Sequence, residues 1–459
     1  MLEPIVALSL FVAIFALATV RKVHLGVIMF ASAAGVGIWL AGMEMDDVIA
    51  GFPVSILVLL VGVTYFFAIA QANGTVDRII TFAISRVGDR AALLPLVFFG
   101  LTAGIAAMGS PLAGLVMTPI GMPLAKKYGI DRMLMGLAIG CGLSAGGFAP
   151  TSLFGIVTYG TAHSVGIDLN PLTLFSIALV ANLVLLLAAY VMFGGLGLLR
   201  RRHAGQFGDS RLPNLRGKAP LPGHPFEREG FAERSRRAAQ QVQVIDDTVG
   251  ETTPERFTWA QRTTVLCMAG LVVSVILLAI IGLDPDIGIL CFAFATVMTL
   301  VDPKTGKTAV SKIDWSTVLM VGGIITFVGV LQEIGAVDLL GEAASQAGAP
   351  LVAALCICII GGLVSAFAST TGMLAALVPL AIPLVADGNI AGWAVIAALG
   401  VCSSIVDVSP FSTVGATLVA TVDEEERPRI TKVLTRWGLS LVVVGPVALV
   451  GTLVLPTML

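Results

Sequence analysis

Hydroxyl side chains occur in a row inside one of the most apolar stretches of this chain. The segment SAFASTTGMLAALVPLAIPL runs from Ser365 to Leu384, and its middle reads Ser369-Thr370-Thr371. Hydroxyl and carbonyl oxygens suit a small hard cation such as Na⁺, and hydroxyl hydrogens suit a carboxylate. Because polar groups are costly in lipid, a cluster of them at this depth is a candidate binding site.

Three further interruptions combine Gly or Pro with polar side chains in apolar surroundings. They are MGSPLAG (108–114), GLSAGGFAPTSLFG (142–155) and CSSIVDVSPFSTVG (402–415). Gly and Pro interrupt helices and free backbone groups that lipid cannot satisfy, so such segments must line a cavity or lie within protein. The N-terminal end of a broken helix favours an anion, whereas its free carbonyls favour a cation.

These interruptions predict sites for a small anion and for coupling cations. The substrate-binding candidates are Ser110, Thr151, Ser152, Ser369, Thr370, Thr371, Ser409 and Ser412. The cation-binding candidates form two groups between a hairpin tip and a neighbouring break: Ser110 with Gly140 and Ser144, and Ser365 and Ser369 with Ser404 and Asp407.

Asp407 is the one acidic residue that we place deep within a predicted span. A carboxylate there could ligate a cation, carry a proton or cap a broken helix end. No Lys or Arg falls within the predicted spans, so a bound cation would supply the positive charge that an anionic substrate needs.

The composition predicts a polytopic membrane protein. The chain is 57% hydrophobic and 12% charged, with a mean hydropathy of +0.96, which is outside the soluble globular range. The predicted spans are 3–20, 24–41, 52–72, 133–158, 172–199, 263–282, 286–301, 315–334, 392–420 and 437–457. Two further apolar stretches, about 91–125 and 351–386, are predicted to be re-entrant hairpins.

The distribution of cationic residues predicts which ends of the spans are cytoplasmic. All 27 Lys and Arg fall in the segments 21–23, 74–90, 126–132, 200–262, 303–314 and 422–436. By the positive-inside rule these segments are cytoplasmic, and both termini lie outside. We therefore expect a multi-pass protein of a bacterial inner membrane, with 200–262 as a flexible cytoplasmic linker.

The two halves repeat at a nearly constant offset. Adding 260 takes Ser144 to Ser404, Ser152 to Ser412 and Gly155 to Gly415, and an offset of 261 takes Gly62 to Gly323. Because each half has five spans, an odd number, the second half is predicted to be inverted. The predicted division is a first repeat at 1–199 (broken helix about 133–158), the linker, and a second repeat at 263–459 (broken helix about 392–420).

The chain resembles the ion transporter superfamily, and its first half resembles the MatC-type malonate and dicarboxylate carriers. The segments that carry the likeness are GFPVSILVLLVGVTYFFAIAQANGTVD (51–77) and GGFAPTSLFGIV (146–157). The resemblance implies an all-α homodimer in which hairpins and broken helices move as an elevator against a scaffold. It also implies Na⁺-coupled uptake of a C3 or C4 dicarboxylate.

The sequence thus predicts a secondary transporter that couples uptake of a small dicarboxylate, such as malonate, to a cation, with Na⁺ expected. Alternatives are a cation/proton antiporter of the same superfamily and a membrane subunit of a binding-protein-dependent system. GLSAG (142–146) matches a hydrolase motif, but that motif needs a strand-to-helix elbow and a His partner, so an enzyme is not expected. We expect no cofactor besides the coupling ion, and no nucleic-acid partner.

Overall fold

The predicted all-helical class is confirmed for the residues that the structure describes. The computed structural model describes residues 2–21, 23–87, 91–109, 113–164, 166–195, 257–281, 286–336, 339, 350–366, 370–381, 390–410 and 412–458. These ranges hold helices and connecting turns and contain no strand. Two predicted site residues, Ser110 and Ser369, lie outside the described residues, as does the predicted linker up to residue 256.

The described part of the first half contributes ten α-helices. They are α1 (Leu2–Arg21), α2 (Leu25–Trp39), α3 (Met45–Ala50), α4 (Val54–Ala72), α5 (Thr75–Val87), α6 (Leu94–Ala107), α7 (Ala113–Lys127), α8 (Arg132–Gly147), α9 (Leu153–Ser164) and α10 (Pro171–Met192). Local capping fixes several starts. The Asp131 side chain accepts from the amide of Met133 at the start of α8, and Asn170 does the same for α10.

The described part of the second half contributes nine α-helices. They are α11 (Trp259–Ile281), α12 (Ile287–Val301), α13 (Pro303–Val310), α14 (Trp315–Glu333), α15 (Pro350–Ser365), α16 (Thr370–Leu380), α17 (Gly392–Ile405), α18 (Thr413–Thr421) and α19 (Arg427–Leu449). Carboxylates cap α12, α13 and α14 through Asp286, Asp302 and Asp314.

In the part of the chain that the structure describes, four helical stretches are long and apolar enough to cross a membrane by length and composition: Val54–Ala72, Pro171–Met192, Trp315–Glu333 and Arg427–Met458. Eight shorter apolar helices accompany them within the described ranges. The last stretch differs from the sequence prediction, which placed 422–436 in a loop before a span at 437–457. Arg and Lys favour helix, and their long stems can reach the interface, so the cationic segment continues as the first turns of α19.

One group of helices packs through glycine contacts that bring backbones together. It comprises α2 against α14 and α4 against α12. A Cβ added at Gly323 would lie 2.1 Å from the Gly26 carbonyl oxygen, and one added at Gly62 would lie 2.5 Å from that of Gly288. Only glycine permits such an approach, and small residues drive close helix packing in membranes. Gly62 and Gly323 are one of the repeat pairs, so corresponding glycines make corresponding contacts.

A second group carries the hairpins and the helix breaks. Here α8 packs against α6 and α10, and α17 packs in the same way against α15 and α19. The two halves interlock within this group, since α7 contacts α18 and α9 contacts α16. The two groups meet where α16 contacts α14 and where α9 contacts α4. All described site residues belong to the second group.

Candidate functional site

The first break separates α8, which ends at Gly147, from α9, which begins at Leu153. Two hydroxyls of the break turn to the last carbonyls of α6. The Thr151 hydroxyl donates to the Ala107 oxygen at 2.6 Å, and the Ser152 hydroxyl donates to the Ala106 oxygen at 2.7 Å. These bonds satisfy helix-end carbonyls that lipid would leave unpaired. Thr151 and Ser152 therefore anchor the first arm of the hairpin to the break.

The second break repeats this arrangement with different side chains. The Ser409 hydroxyl donates to the Ala366 oxygen at 3.1 Å, and Ala366 is 260 residues after Ala106. Ser412 caps α18, because its hydroxyl oxygen accepts from the Gly415 amide at 3.1 Å. A Cβ at Gly415 would lie 1.9 Å from the Ser409 carbonyl oxygen, so the backbone folds tightly here.

Asp407 lies within the second break, in the 3₁₀ turn Val406–Val408, which falls inside the interruption predicted at 402–415. The Gly- and Pro-rich sequence predicted the interruption, but it did not locate the turn at which α17 ends. The Thr370 hydroxyl oxygen lies 2.6 Å from each carboxylate oxygen of Asp407. The Ser365 hydroxyl oxygen lies 3.0 Å from that of Thr370 and 3.5 Å from the carboxylate.

The surroundings of Asp407 hold the carboxylate by hydroxyls alone. Among the described residues, no Lys, Arg or His forms an ion pair with it. Ser365 and Thr370 are buried, and Thr371, at the start of the same helix, is 6% exposed. A partly buried carboxylate with neutral partners attracts a cation, because little water screens its charge.

The sequence assigned Ser144 and Ser404 to two separate cation sites, and the structure instead brings these repeat partners into contact. Their hydroxyl oxygens lie 2.7 Å apart. The contact forms because α8 and α17, the helices that precede the two breaks, pack together at the meeting of the halves. The Asn182 amide nitrogen, on α10, donates to the Ser144 hydroxyl at 3.1 Å and to the Ala178 oxygen at 2.9 Å.

Asn182 was missed by the sequence prediction. It is fully buried, and it is the one asparagine within the 22-residue apolar helix α10. An amide in a membrane-like helix is itself a signal, since intramembrane polar residues tend to pair or to serve function.

A crevice joins the serine pair to Asp407. Its lining comprises Gly140, Ser144, Ser404 and Asp407, together with the apolar side chains of Leu143, Phe154, Val408 and Val414. The crevice is too tight to hold a water molecule. It therefore collects four of the predicted cation-binding residues, drawn from both predicted groups. Thr151 and Ser152 do not line it.

A cluster of charges lies at the ends of the helices, outside the apolar spans. Lys126 and Arg132 pair with Asp423 at 2.9 and 3.1 Å, Arg132 also pairs with Glu426, and Arg429 pairs with Asp131 at 3.0 Å. A hydrogen bond from Lys126, aided by the charges of Lys126 and Arg132, lowers the pKa of Asp423 below its usual value. The cluster ties the α7–α8 connection to the α18–α19 connection, which the sequence analysis did not foresee.

The side chains that line the crevice determine which kind of cation it could bind. No group of three His, Cys, Asp or Glu residues suited to a metal ion occurs in the part of the chain that the structure describes. The crevice offers hydroxyl oxygens and one carboxylate, which suit a hard alkali cation more than a transition metal.

Comparison with known proteins agrees with the resemblance drawn from the sequence. Residues 1–147 match the family model described as the dicarboxylate carrier protein MatC N-terminus. This match covers about the N-terminal third of the chain. The predicted resemblance is thereby confirmed over this range, which includes the motif at 51–77. The matched family is one of carriers and not of enzymes, and the described residues hold four helical stretches long and apolar enough to cross a membrane.

The fold has a counterpart among solved structures. The chain is similar to the YdaH transporter of Alcanivorax borkumensis, whose crystal structure is described as having an unusual topology. The TM-score is 0.55 at 14% sequence identity, over 88% of this chain and 86% of the other. At this identity the likeness concerns the fold alone. No curated protein sequence matches the chain.

Proposed function

We propose that this chain is a secondary transporter that couples uptake of a small dicarboxylate, such as malonate or a C4-dicarboxylate, to Na⁺. The observation that carries the proposal is the Asp407 carboxylate, held at a helix break by Thr370 and Ser365. A dianion entering beside an uncompensated carboxylate would be repelled. A cation bound at Asp407 removes that repulsion, so each ligand favours the other, and such mutual dependence produces coupled transport.

The substrate would lie at the N-terminal ends of the helices that follow the interruptions. These are α9 after Ser152, α18 after Ser412, and α16, which begins with Thr370 and Thr371. Helix N-termini offer free amide groups and partial positive charge to carboxylates. The hydroxyls of Ser152 and Ser412 already bond to backbone, so these two residues would shape the site while neighbouring amides bind the anion.

Paired contacts support an inverted repeat and an elevator mechanism. Ser152 bonds to the Ala106 oxygen, and Ser409 bonds to the oxygen of Ala366, the repeat partner of Ala106. In the same way, the Gly26–Gly323 contact has its counterpart in the Gly62–Gly288 contact. The group built from α2, α4, α12 and α14 would form the scaffold of a homodimer. The group with the hairpins and breaks would carry the substrate across.

The orientation in a bacterial inner membrane follows from charge. Ion pairs join residues 126–132 to residues 423–429, so these two connections share one side of the protein. Both were predicted to be cytoplasmic from their Lys and Arg content. The pairing supports that assignment, with the termini outside.

The decisive experiment is uptake of radiolabelled malonate, succinate and malate by the purified chain in proteoliposomes. Counterflow without other proteins would exclude dependence on a binding-protein partner. An inward Na⁺ gradient should drive uptake, and replacing Na⁺ with choline should abolish it.

Two outcomes would contradict parts of the proposal. Uptake that ignores Na⁺ but follows a pH gradient would overturn Na⁺ coupling. Na⁺/H⁺ exchange without uptake of any dicarboxylate would favour the antiporter alternative.

A further inference from the structure

The two halves meet at a polar cluster of Asn182, Ser144 and Ser404, whose free hydrogen-bonding capacity is all of one kind. Its hydrogen bonds run in one direction: Asn182 donates to Ser144, and the Ser404 hydroxyl donates to the Val401 oxygen at 3.0 Å. Ser144 must then be the donor in the 2.7 Å contact with Ser404. Every hydroxyl hydrogen is thus used, while each hydroxyl oxygen retains a lone pair. The cluster can therefore still accept a hydrogen bond or ligate a cation, but it has no hydroxyl hydrogen left to donate.

The Asn182 side chain adds the strongest free acceptor. Its amide nitrogen is fixed by the bonds to Ser144 and Ala178, so the amide orientation is determined, and the oxygen belongs to the same amide group that contacts the serine pair. That oxygen is buried and has no hydrogen-bond partner among the residues that the structure describes, and the whole residue is 0% exposed. A buried acceptor without a partner destabilises the folded protein, and a ligand bound to this oxygen would offset that cost.

We propose that Asn182 Oδ1 and the Oγ atoms of Ser144 and Ser404 form a second cation site, distinct from the carboxylate of Asp407. The site takes a small monovalent cation such as Na⁺, because its ligands are neutral oxygens. A divalent ion would require carboxylates. The coupling role of this site rests on the proposed transport function, whereas the binding itself does not.

The position of the site gives it a mechanical consequence. Its ligands come from α8, α10 and α17, so a bound cation joins both halves at the base of the two breaks. Ligation would lengthen the 2.7 Å contact between the serines and place positive charge in the crevice that Asp407 also lines. The dicarboxylate, a dianion, would then be bound together with two cations, one at each site.

Two substitutions on one helix provide a matched test. Ser403 and Ser404 are adjacent and both fully buried, but the Ser403 hydroxyl bonds only to the Leu399 oxygen of its own helix. The purified full chain is heated with increasing NaCl, with choline chloride keeping the ionic strength constant. The background carries Asp407→Asn, so that the first site does not contribute.

The background protein should still gain thermal stability with Na⁺. Ser404→Ala and Asn182→Leu should raise the Na⁺ concentration for half-maximal stabilisation about tenfold or more, as expected for loss of a ligand. Ser403→Ala should leave that concentration unchanged. If Asn182→Leu does not yield folded protein, Ser144→Ala replaces it. Equal Na⁺ response in Ser404→Ala and Ser403→Ala, or no Na⁺ response in the background, would overturn the site.

The outcome is separable from that of the proposed function. Na⁺ stabilisation that depends on Asn182, without dicarboxylate uptake by the unmodified chain, would leave this site standing and overturn the transport proposal. Na⁺-driven uptake combined with a stabilisation that ignores Asn182 and Ser404 would do the reverse.

Discussion

The two helix breaks share a backbone design and differ in charge. Each break sends a hydroxyl to the corresponding carbonyl at the end of a hairpin arm, Ala106 in the first half and Ala366 in the second. At one pair of repeat positions they diverge: the first half has Gly147, and the second has Asp407. A Cβ at Gly147 would lie 2.6 Å from the Phe154 ring, whereas Asp407 meets the hydroxyl of Thr370.

The two breaks are thus alike in their backbone contacts and unlike in the charge that they carry. The first break is closed by an aromatic ring packed on a glycine. The second exposes a carboxylate to a crevice that residues of both halves line. In our account, the second half supplies the charge that binds the coupling ion, and the first half supplies much of the wall.

The largest loss of stability is expected at two glycines that occupy matching positions in the two halves. At Gly415 a Cβ would lie 1.9 Å from the Ser409 carbonyl oxygen, and at Gly155 it would lie 2.4 Å from that of Ala149. Both obstacles are backbone atoms, so Gly415→Ala should cost about 3 kcal/mol or more, and Gly155→Ala somewhat less. The yield of monodisperse protein and its Tm measure this. Gly100→Ala, with open space around the glycine, is the control. If both variants kept the yield and the Tm of the unmodified chain, the two breaks would not share a backbone that requires glycine.

The second-largest effect is expected in the second half alone, at the hydroxyl beside the Asp407 carboxylate. Thr370→Val removes the hydroxyl that lies closest to the Asp407 carboxylate and with it an oxygen that could ligate the cation, so Na⁺ binding should weaken about tenfold. The Na⁺ concentration for half-maximal uptake is the measurement. Thr158→Val is the matched control, because its buried hydroxyl bonds only to the Phe154 oxygen one turn earlier. An equal rise in both variants would assign the effect to packing.

Gly147→Ala asks whether the first half can accept a side chain where the second has one. The added Cβ meets the Phe154 ring, which must shift, so the variant should lose about 1–2 kcal/mol. Its Tm should recover in Gly147→Ala/Phe154→Leu, where the obstructing ring is absent. No recovery would mean that the backbone, and not the ring, requires glycine there.

The smallest effect concerns the charges that join the halves outside the membrane. Because the pKa of Asp423 is lowered in the folded protein, its ion pairs add stability above its usual pKa of 3.8, and that stability is lost as the pH falls through the lowered pKa. The side chain is half-exposed, so the gain should be under about 1 kcal/mol. The Tm advantage over Asp423→Asn should therefore be present at neutral pH and shrink below about pH 5. A constant difference across this range would show that the charge is not responsible.

Sequence periodicity predicted the helical class and the four interruptions, because Gly, Pro and hydroxyls stand out in apolar sequence. It could not predict which interrupted segments approach one another. Ser144 and Ser404 were assigned to separate sites, and their contact depends on how α8 and α17 cross. The ion pairs of Asp423 were invisible for the same reason, since their partners are almost 300 residues away.

Asn182 shows a different gap. A single amide in an apolar helix gave a signal, but its repeat position in the second half is Val442, so a search for paired features passes over it. Its importance follows from the tertiary contacts that leave its oxygen unpartnered.

The central claim is that the second half binds the coupling cation at Asp407. Na⁺-driven uptake of labelled dicarboxylate by Asp407→Asn proteoliposomes tests it directly, since asparagine keeps the size of the side chain and removes its charge. We expect the inward Na⁺ gradient to lose its ability to drive uptake, while the variant remains folded and monodisperse. Uptake by Asp407→Asn with unchanged Na⁺ dependence would contradict the account.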